Sequence, residues 1–286
     1  MSLRDEVGVP AGSPLIEIDG VPLAVSRAGR GPALVCLHAV GHGGGDFAAL
    51  LPALEDRFEV IRVDWPGQGR SGPDREPASA RRYAALLGGL LERLDITDPI
   101  LIGCSIGSAA AILHAARHPV RALVLCDSGG LVPINLMTRS FTGVLSRLFA
   151  GGARGAWWFK PFFGWFCRTA LPSAAAVAQR DRIIAAGYEV APVLAEAWAS
   201  FGRPEADIRA EAASLTVPVW VAWCRGDRII PLNLCRPAIE AMQQARLTLF
   251  EGGHAAFLEQ PEQFIEGLID FAAALPVDLR NTRRSA

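Results

Sequence analysis

The pentapeptide Gly103-Cys104-Ser105-Ile106-Gly107 is the strongest chemical signal in the chain. The strand-like PILI (99–102) runs into it and the helix-like SAAAILHAAR (108–117) leaves it. Such a turn holds its central residue in a strained backbone conformation and thrusts that side chain out above the sheet. The flanking positions must be glycine, because a Cβ there strikes the neighbouring strand or helix. Gly-x-Ser-x-Gly arises by chance about 0.2 times in a chain of this composition, so the pattern alone is weak. Its place between strand and helix gives it weight. Ser105 is the candidate nucleophile, weighed against an ordinary turn serine.

A serine hydroxyl barely ionises at neutral pH, so it needs a base in hydrogen-bond reach and an acid to orient that base. The chain has five histidines. His38 and His42 precede Ser105, and His114 and His118 lie on or just after the helix that Ser105 opens. His254 stands alone in the second half, in EGGHAAFLEQPEQF, directly after the last strand-like run. Its two preceding glycines let the loop bend back over a sheet, and the competing reading is a solvated loop histidine. For the acid, Asp227 follows PVWVAWC in CRGDRIIP, and Asp127 follows RALVLC. Both sit at C-terminal strand ends, where active sites of open α/β sheets form. Asp227 is favoured, because its strand comes just before the one that delivers His254.

A second glycine-rich turn, LHAVGHGGGDF (37–47), also joins a strand to a helix-like run. His38 and His42 are four apart, a metal-ligand spacing only in a helix, and the four glycines oppose a helix. A dinucleotide fingerprint begun at Gly41 meets Asp46 where its third glycine belongs, and a carboxylate there repels a pyrophosphate. No Gly-Lys-Ser/Thr follows, so a P-loop is excluded. A loop of backbone N–H groups awaiting a transient anion remains.

The elements that must position these residues alternate regularly. LIEID (15–19) and VPLAVSR (21–27) suggest an N-terminal hairpin. ALVCLH (33–38), EVIRVD (59–64), PILIGCS (99–105), RALVLCD (121–127), PVWVAWC (218–224) and RLTLFE (246–251) follow. Helical patterns near 46–55, 79–94, 106–117, 233–244 and 261–274 separate most of them. Near-continuous apolar strands alternating with helices imply a parallel sheet covered on both faces. The alternation breaks between residues 128 and 214, a helical and aromatic stretch. It reads as a lid inserted over the strand C-termini, some of whose rings line a pocket. The competing readings are rings that pack only the insertion's own core, or a WWFKPFFGWF segment that touches lipid.

Bulk properties narrow the class. A net charge of −1 gives no electrostatic case for nucleic acid or an anionic membrane. No stretch approaches the ~18 uninterrupted apolar residues of a membrane span. The first twenty residues lack the apolar core of a secretory signal, and the six cysteines (36, 104, 126, 167, 224, 235) have no paired spacing. They read as buried thiols in a reducing, cytoplasmic setting.

The order Ser105, Asp227, His254, together with LHAVGHGG, DWPGQGRS (64–71), GCSIG, the CRGD turn and GGHAAFLEQPEQF, resembles the α/β-hydrolase family over about residues 15–275. The resemblance implies an α/β-hydrolase fold. Its mostly parallel eight-stranded sheet (1–127 and 215–286) carries helices on both faces and a helical cap (128–214) after the sixth strand. It assigns the oxyanion hole to the backbone N–H groups of Val40 and Ile106, with Ala39 departing from the family's usual glycine. His38 then shapes its loop and the DWPGQGRS turn is mainly structural. Ser-His-Asp acyl transfer to water on a small or medium apolar carboxylic ester follows, with no metal or organic cofactor. Trp157, Trp158, Trp165 and Trp198 are the candidate pocket residues. Cleavage of carbon–carbon bonds in ring-fission products and cofactor-free perhydrolysis use the same triad. A catalytically silent binding module is the alternative from another class.

Overall fold

A computed structural model describes residues 2–276; residues 277–286, assigned from sequence to the sheet domain, lie outside the described residues. Eight strands form one sheet: β1 (Leu15–Ile18), β2 (Val21–Gly29), β3 (Ala33–Leu37), β4 (Glu59–Val63), β5 (Ile100–Cys104), β6 (Ala122–Cys126), β7 (Val219–Cys224) and β8 (Ala245–Phe250). Their order across the sheet is β1-β2-β4-β3-β5-β6-β7-β8. The β1–β2 and β2–β4 pairs are antiparallel, and the others are parallel. Asp19 and Gly20, both at positive φ (49° and 75°), make the two-residue hairpin turn between β1 and β2. Strands β5, β6 and β7 are buried along their whole length, as a sheet covered on both faces demands.

The helices are α1 (Leu51–Leu54), α2 (Ala80–Arg93), α3 (Ile106–Ala115), α4 (Leu136–Ala153), α5 (Phe159–Ala170), α6 (Val177–Ala185), α7 (Gly187–Phe201), α8 (Arg209–Ala213), α9 (Leu232–Glu240), α10 (Ala256–Glu259) and α11 (Pro261–Ala273). The helix expected near 46–55 is instead a 3-10 segment, Gly44–Leu50, continued by the single turn of α1. Gly44 N–H, at the start of the segment, donates to the Asp64 carboxylate at 2.7 Å.

Helices α4 to α8 lie between β6 and β7, with α4 packed along α7. Their Phe149, Phe159, Phe163 and Trp198 continue the apolar layer that Phe47, Trp220, Phe250 and Phe264 build on one sheet face. Ile208 and Ala212 instead join the layer on the other face, with Trp65, Tyr83 and Trp223. All six cysteines are buried and free.

Candidate active site

Strand β5 ends at Cys104, and Ser105 turns the chain into α3 with φ 53° and ψ −114°. Side chains other than glycine rarely take that conformation, so surrounding contacts must hold it. Ser105 N–H donates to Cys126 O at 3.0 Å, and Gly129 N–H donates to Ser105 O at 3.0 Å. A Cβ on Gly107 collides with the carbonyl of Leu37, and one on Gly103 collides with the backbone of Ser108. The two glycines thus let α3 start directly against β3 and β5, with the Ser105 side chain at the strand ends.

Asp227 follows β7, and its Oδ1 accepts from the N–H groups of Ile229 (2.7 Å) and Ile230 (2.9 Å). Those bonds aim Oδ2 at His254, whose Nδ1 donates to it at 2.8 Å. His254 sits in the loop after β8, and its carbonyl accepts from Cys104 Sγ at 3.6 Å, which places it beside the Ser105 turn. Burial alone pushes the imidazole down, but the Asp227 charge and hydrogen bond, together with the Asp127 and Glu259 carboxylates, more than offset this, so its pKa lies above the ordinary value.

Asp127, the competing acid, is also close: one polar atom each of Asp127, Asp227 and His254 lie within 4.8 Å of one another. Its Oδ1 accepts from Cys224 N–H at 2.8 Å, while Oδ2 has no hydrogen-bond partner. Burial, and then the Asp227 charge, raise its pKa above the ordinary carboxylate range. It is held toward its neutral form, and it has no bond to His254.

The loop carrying His254 is tied to the insertion. His254 N–H donates to Ala170 O at 2.6 Å at the end of α5, where a Cβ on Gly253 has no room. The buried Glu259 accepts from Ser173 N–H at 3.0 Å.

The loop after β3 is equally constrained. His38 Nδ1 donates to Ala39 O at 2.7 Å, and its Nε2 accepts from Trp65 N–H at 2.9 Å. Burial pushes this imidazole down to about 4, so it is neutral near pH 7 and carries no charge to the site. Gly41 takes the positive φ of 81° in the turn that His42 N–H closes on Ala39 O, so residue 39 needs no glycine. Val40 faces the same cavity as Ser105. Ile106 is the first residue of α3, where backbone N–H groups have no partner within the helix.

That cavity measures about 290 Å³ and has mainly apolar walls, among them Val40, Phe141, Trp198, Phe201, Ile229 and Leu234. Of the four tryptophans expected there, only Trp198 lines it. Trp157 and Trp165 are 85% and 63% exposed on the outside of the insertion, and Trp158 packs on Phe159 and Phe162. In α5, Phe159 and Phe163 already fill the inward stripe, which leaves Trp165 on the opposite side.

A family model described as the alpha/beta hydrolase family matches residues 34–266. The chain belongs to the α/β-hydrolase family. It is 30% identical over 268 residues to a pimeloyl-[acyl-carrier protein] methyl ester esterase of Xanthomonas campestris, covering 87% of this chain and 98% of that one. A thermophilic esterase from Thermogutta terrifontis superposes with a TM-score of 0.77 at 22% identity, covering 91% of this chain and 96% of the other. An enol-lactonase from Burkholderia xenovorans superposes at 0.75 with 21% identity, covering 91% and 100%.

Several residues of this α/β-hydrolase that hold the site together were not among the site candidates read from the sequence. Gln68 Oε1 accepts from Gly41 N–H at 2.5 Å while its Nε2 donates to Tyr83 Oη at 2.9 Å, which fixes the loop carrying Val40. Asp64, which directly follows β4 where a dinucleotide fold keeps a ribose-binding acid, is buried and accepts from the N–H groups of Val9, Gly44 and Arg70. Asp46 accepts from His42 at 2.7 Å and from Gln179 of α6 at 2.7 Å, tying the same loop to the insertion. Ser71 bridges Asp64 O and Ala24 N–H, consistent with a structural DWPGQGRS turn. The one available clue was polarity inside motifs: Asp46, Asp64, Gln68 and Ser71 all stand in the two glycine-rich turns.

Proposed function

We propose that this chain is a serine hydrolase that cleaves small or medium apolar carboxylic esters through an acyl-enzyme. Ser105 Oγ attacks the ester carbonyl carbon while its proton passes to Nε2 of His254. Asp227, accepting from Nδ1, holds the imidazole in the tautomer that can take this proton and stabilises the imidazolium. The carbonyl oxygen becomes an oxyanion that the N–H groups of Val40 and Ile106 stabilise. Collapse breaks the ester C–O bond, and His254 gives its proton to the leaving alcohol. Water then attacks the acyl carbon, passes a proton to His254, and the acid leaves as Ser105 regains its hydrogen.

The observation that carries this reading is the 2.8 Å Asp227–His254 bond beside a strained serine that opens into an apolar cavity. The named activities of the relatives support it, since methyl-ester, esterase and enol-lactone chemistry all begin with attack on an ester carbonyl. Helices α4 to α7 act as the cap, and Phe141, Trp198 and Phe201 supply the wall against the acyl or alcohol group. The cavity's apolar lining supports an apolar substrate rather than a sugar or nucleotide ester.

A fluorophosphonate probe tests the assignment. It labels one site in the wild type, and Ser105→Ala loses both labelling and p-nitrophenyl ester turnover, the latter by about 10⁶-fold. Undiminished labelling of that variant refutes it.

A further inference from the structure

We propose that the outer face of the cap docks on an anionic lipid surface, with the mouth of the Ser105 cavity opening toward the bilayer. The 53 residues from Ser128 to Arg180 contain no aspartate or glutamate, although acids make up about a tenth of the chain. The net charge of −1, which gave no case for an anionic membrane, conceals an asymmetry: this stretch holds six Arg or Lys, so the rest of the protein carries −7. Five of the six, Arg139, Arg147, Arg154, Lys160 and Arg168, are exposed. None of the five forms an ion pair among the described residues.

Large exposed apolar groups stand in the same stretch of chain as these cations. Leu136 and Met137 are 81% and 78% exposed at the start of α4, and Phe141 and Val144 follow at helical spacing. Trp157 and Trp165 project from the α5 region next to Lys160 and Arg168. Contacting rings join this face to the cavity: Trp165 to Phe162, Phe162 to Phe166, Phe166 to Trp198, and Trp198 to Phe141. Met137, Phe141 and Leu234 are exposed and also line the cavity, so its mouth is apolar.

Exposed Trp, Leu and Met among unpaired Arg and Lys match a bilayer interface: rings enter the headgroup boundary while the cations meet anionic lipid. A soluble ester hydrolase gains nothing from apolar side chains that water solvates around its entrance. An enzyme whose substrate partitions into lipid gains a continuous apolar path from bilayer to nucleophile. No helix among the described residues is long and apolar enough to cross a membrane, so this contact is peripheral. The docking itself is independent of the chemistry; the ester drawn from the bilayer rests on the hydrolase reading above.

Sedimentation with vesicles tests it, using the full chain, phosphatidylcholine vesicles with or without 30% phosphatidylglycerol, and the variants Arg147→Glu/Lys160→Glu/Arg168→Glu and Trp157→Ala/Trp165→Ala. The wild type co-sediments with the anionic vesicles and at least about tenfold less with the neutral ones, and 0.5 M salt releases it. The triple charge reversal weakens binding about a hundredfold or more, and the double tryptophan change weakens it about tenfold. All variants keep wild-type turnover of p-nitrophenyl acetate, since none of these residues touches Ser105. Equal sedimentation with and without anionic lipid overturns the proposal. So does binding that appears only with a soluble acidic protein, or self-association that consumes the same face. Absence of p-nitrophenyl acetate turnover in the wild type, with vesicle binding intact, instead counts against the hydrolase assignment and leaves the docking standing.

Discussion

Replacing Trp198 by alanine should lengthen the preferred substrate. Trp198 is 9% exposed, lines the cavity that reaches Ser105, and packs edge-on against Phe141 at 5.8 Å. Deleting the indole joins its volume to the existing space of about 290 Å³. Each methylene that an ester buries is worth about 0.8 kcal/mol, a three- to fourfold gain in kcat/KM per carbon until the pocket is full. The variant's optimum in a graded p-nitrophenyl ester series should therefore move at least about two carbons longer, with about a tenfold gain on those esters over wild type. A Trp→Ala change in a core costs about 3–5 kcal/mol, and the lower end applies where one side of the ring already faces a cavity. That corresponds to a fall in Tm of roughly 6–12 °C. Trp198 Nε1 is buried without a hydrogen-bond partner, so Trp198→Phe removes an unsatisfied donor and should leave Tm unchanged or raise it. Trp157→Ala, at 85% exposure, should alter neither Tm nor the optimum. An unchanged chain-length profile in Trp198→Ala, with Ser105 still labelled, refutes the reasoning; so does an equal shift in Trp157→Ala.

Asp227→Asn should lower kcat by about 10⁴-fold, because the amide no longer enforces the tautomer that keeps the proton on Nδ1 and leaves Nε2 free to accept one. Asp127→Asn should cost far less turnover; steady-state kinetics that rank the two the other way would make Asp127 the orienting acid. The pH profile has a defined sign: His254 must be neutral to act as base, so kcat/KM falls as pH drops through its pKa. Since that pKa is raised above 6.5, the acid limb should have its midpoint above pH 6.5, and in Asp227→Asn, where burial dominates, it should move to lower pH. Gly107→Ala should cost about 3 kcal/mol or more and severely lower the yield of folded protein, because the new Cβ meets the Leu37 carbonyl. Gly143→Ala, on α4 with open space around it, should instead raise stability by about 0.5–1 kcal/mol, read as a higher Tm.

The eight strands were legible because apolar runs bounded by turns leave little choice of element, and Asp19-Gly20 announces its hairpin. The Ser105 turn was legible for a local reason: strand, two glycines and helix dictate its backbone within a few residues, and no distant contact is needed to recognise it. Asp227 and His254 were legible from their places after the last two strand-like runs, and the order Ser105, Asp227, His254 from its resemblance to the family. Other features are set by groups far apart in sequence. Asp127 and Asp227 occupy equivalent strand ends, and what separates them is which carboxylate oxygen reaches His254 Nδ1, a matter of loop path after β7 and β8. The four tryptophans of the insertion are alike in sequence, yet the packing of α4 on α7 turns Trp198 inward while α5 leaves Trp165 in solvent. The sequence assigned Gln68 no role and weighed Asp64 and Asp46 only against a dinucleotide site; the fold instead sets Gly41 N–H on Gln68, the N–H groups of Val9, Gly44 and Arg70 on Asp64, and Gln179 on Asp46. Local sequence determines which backbone conformations this chain can hold, and so it determined the strands and the serine turn. Burial and hydrogen-bond partnership are properties of segments brought together, and only the tertiary structure decided those.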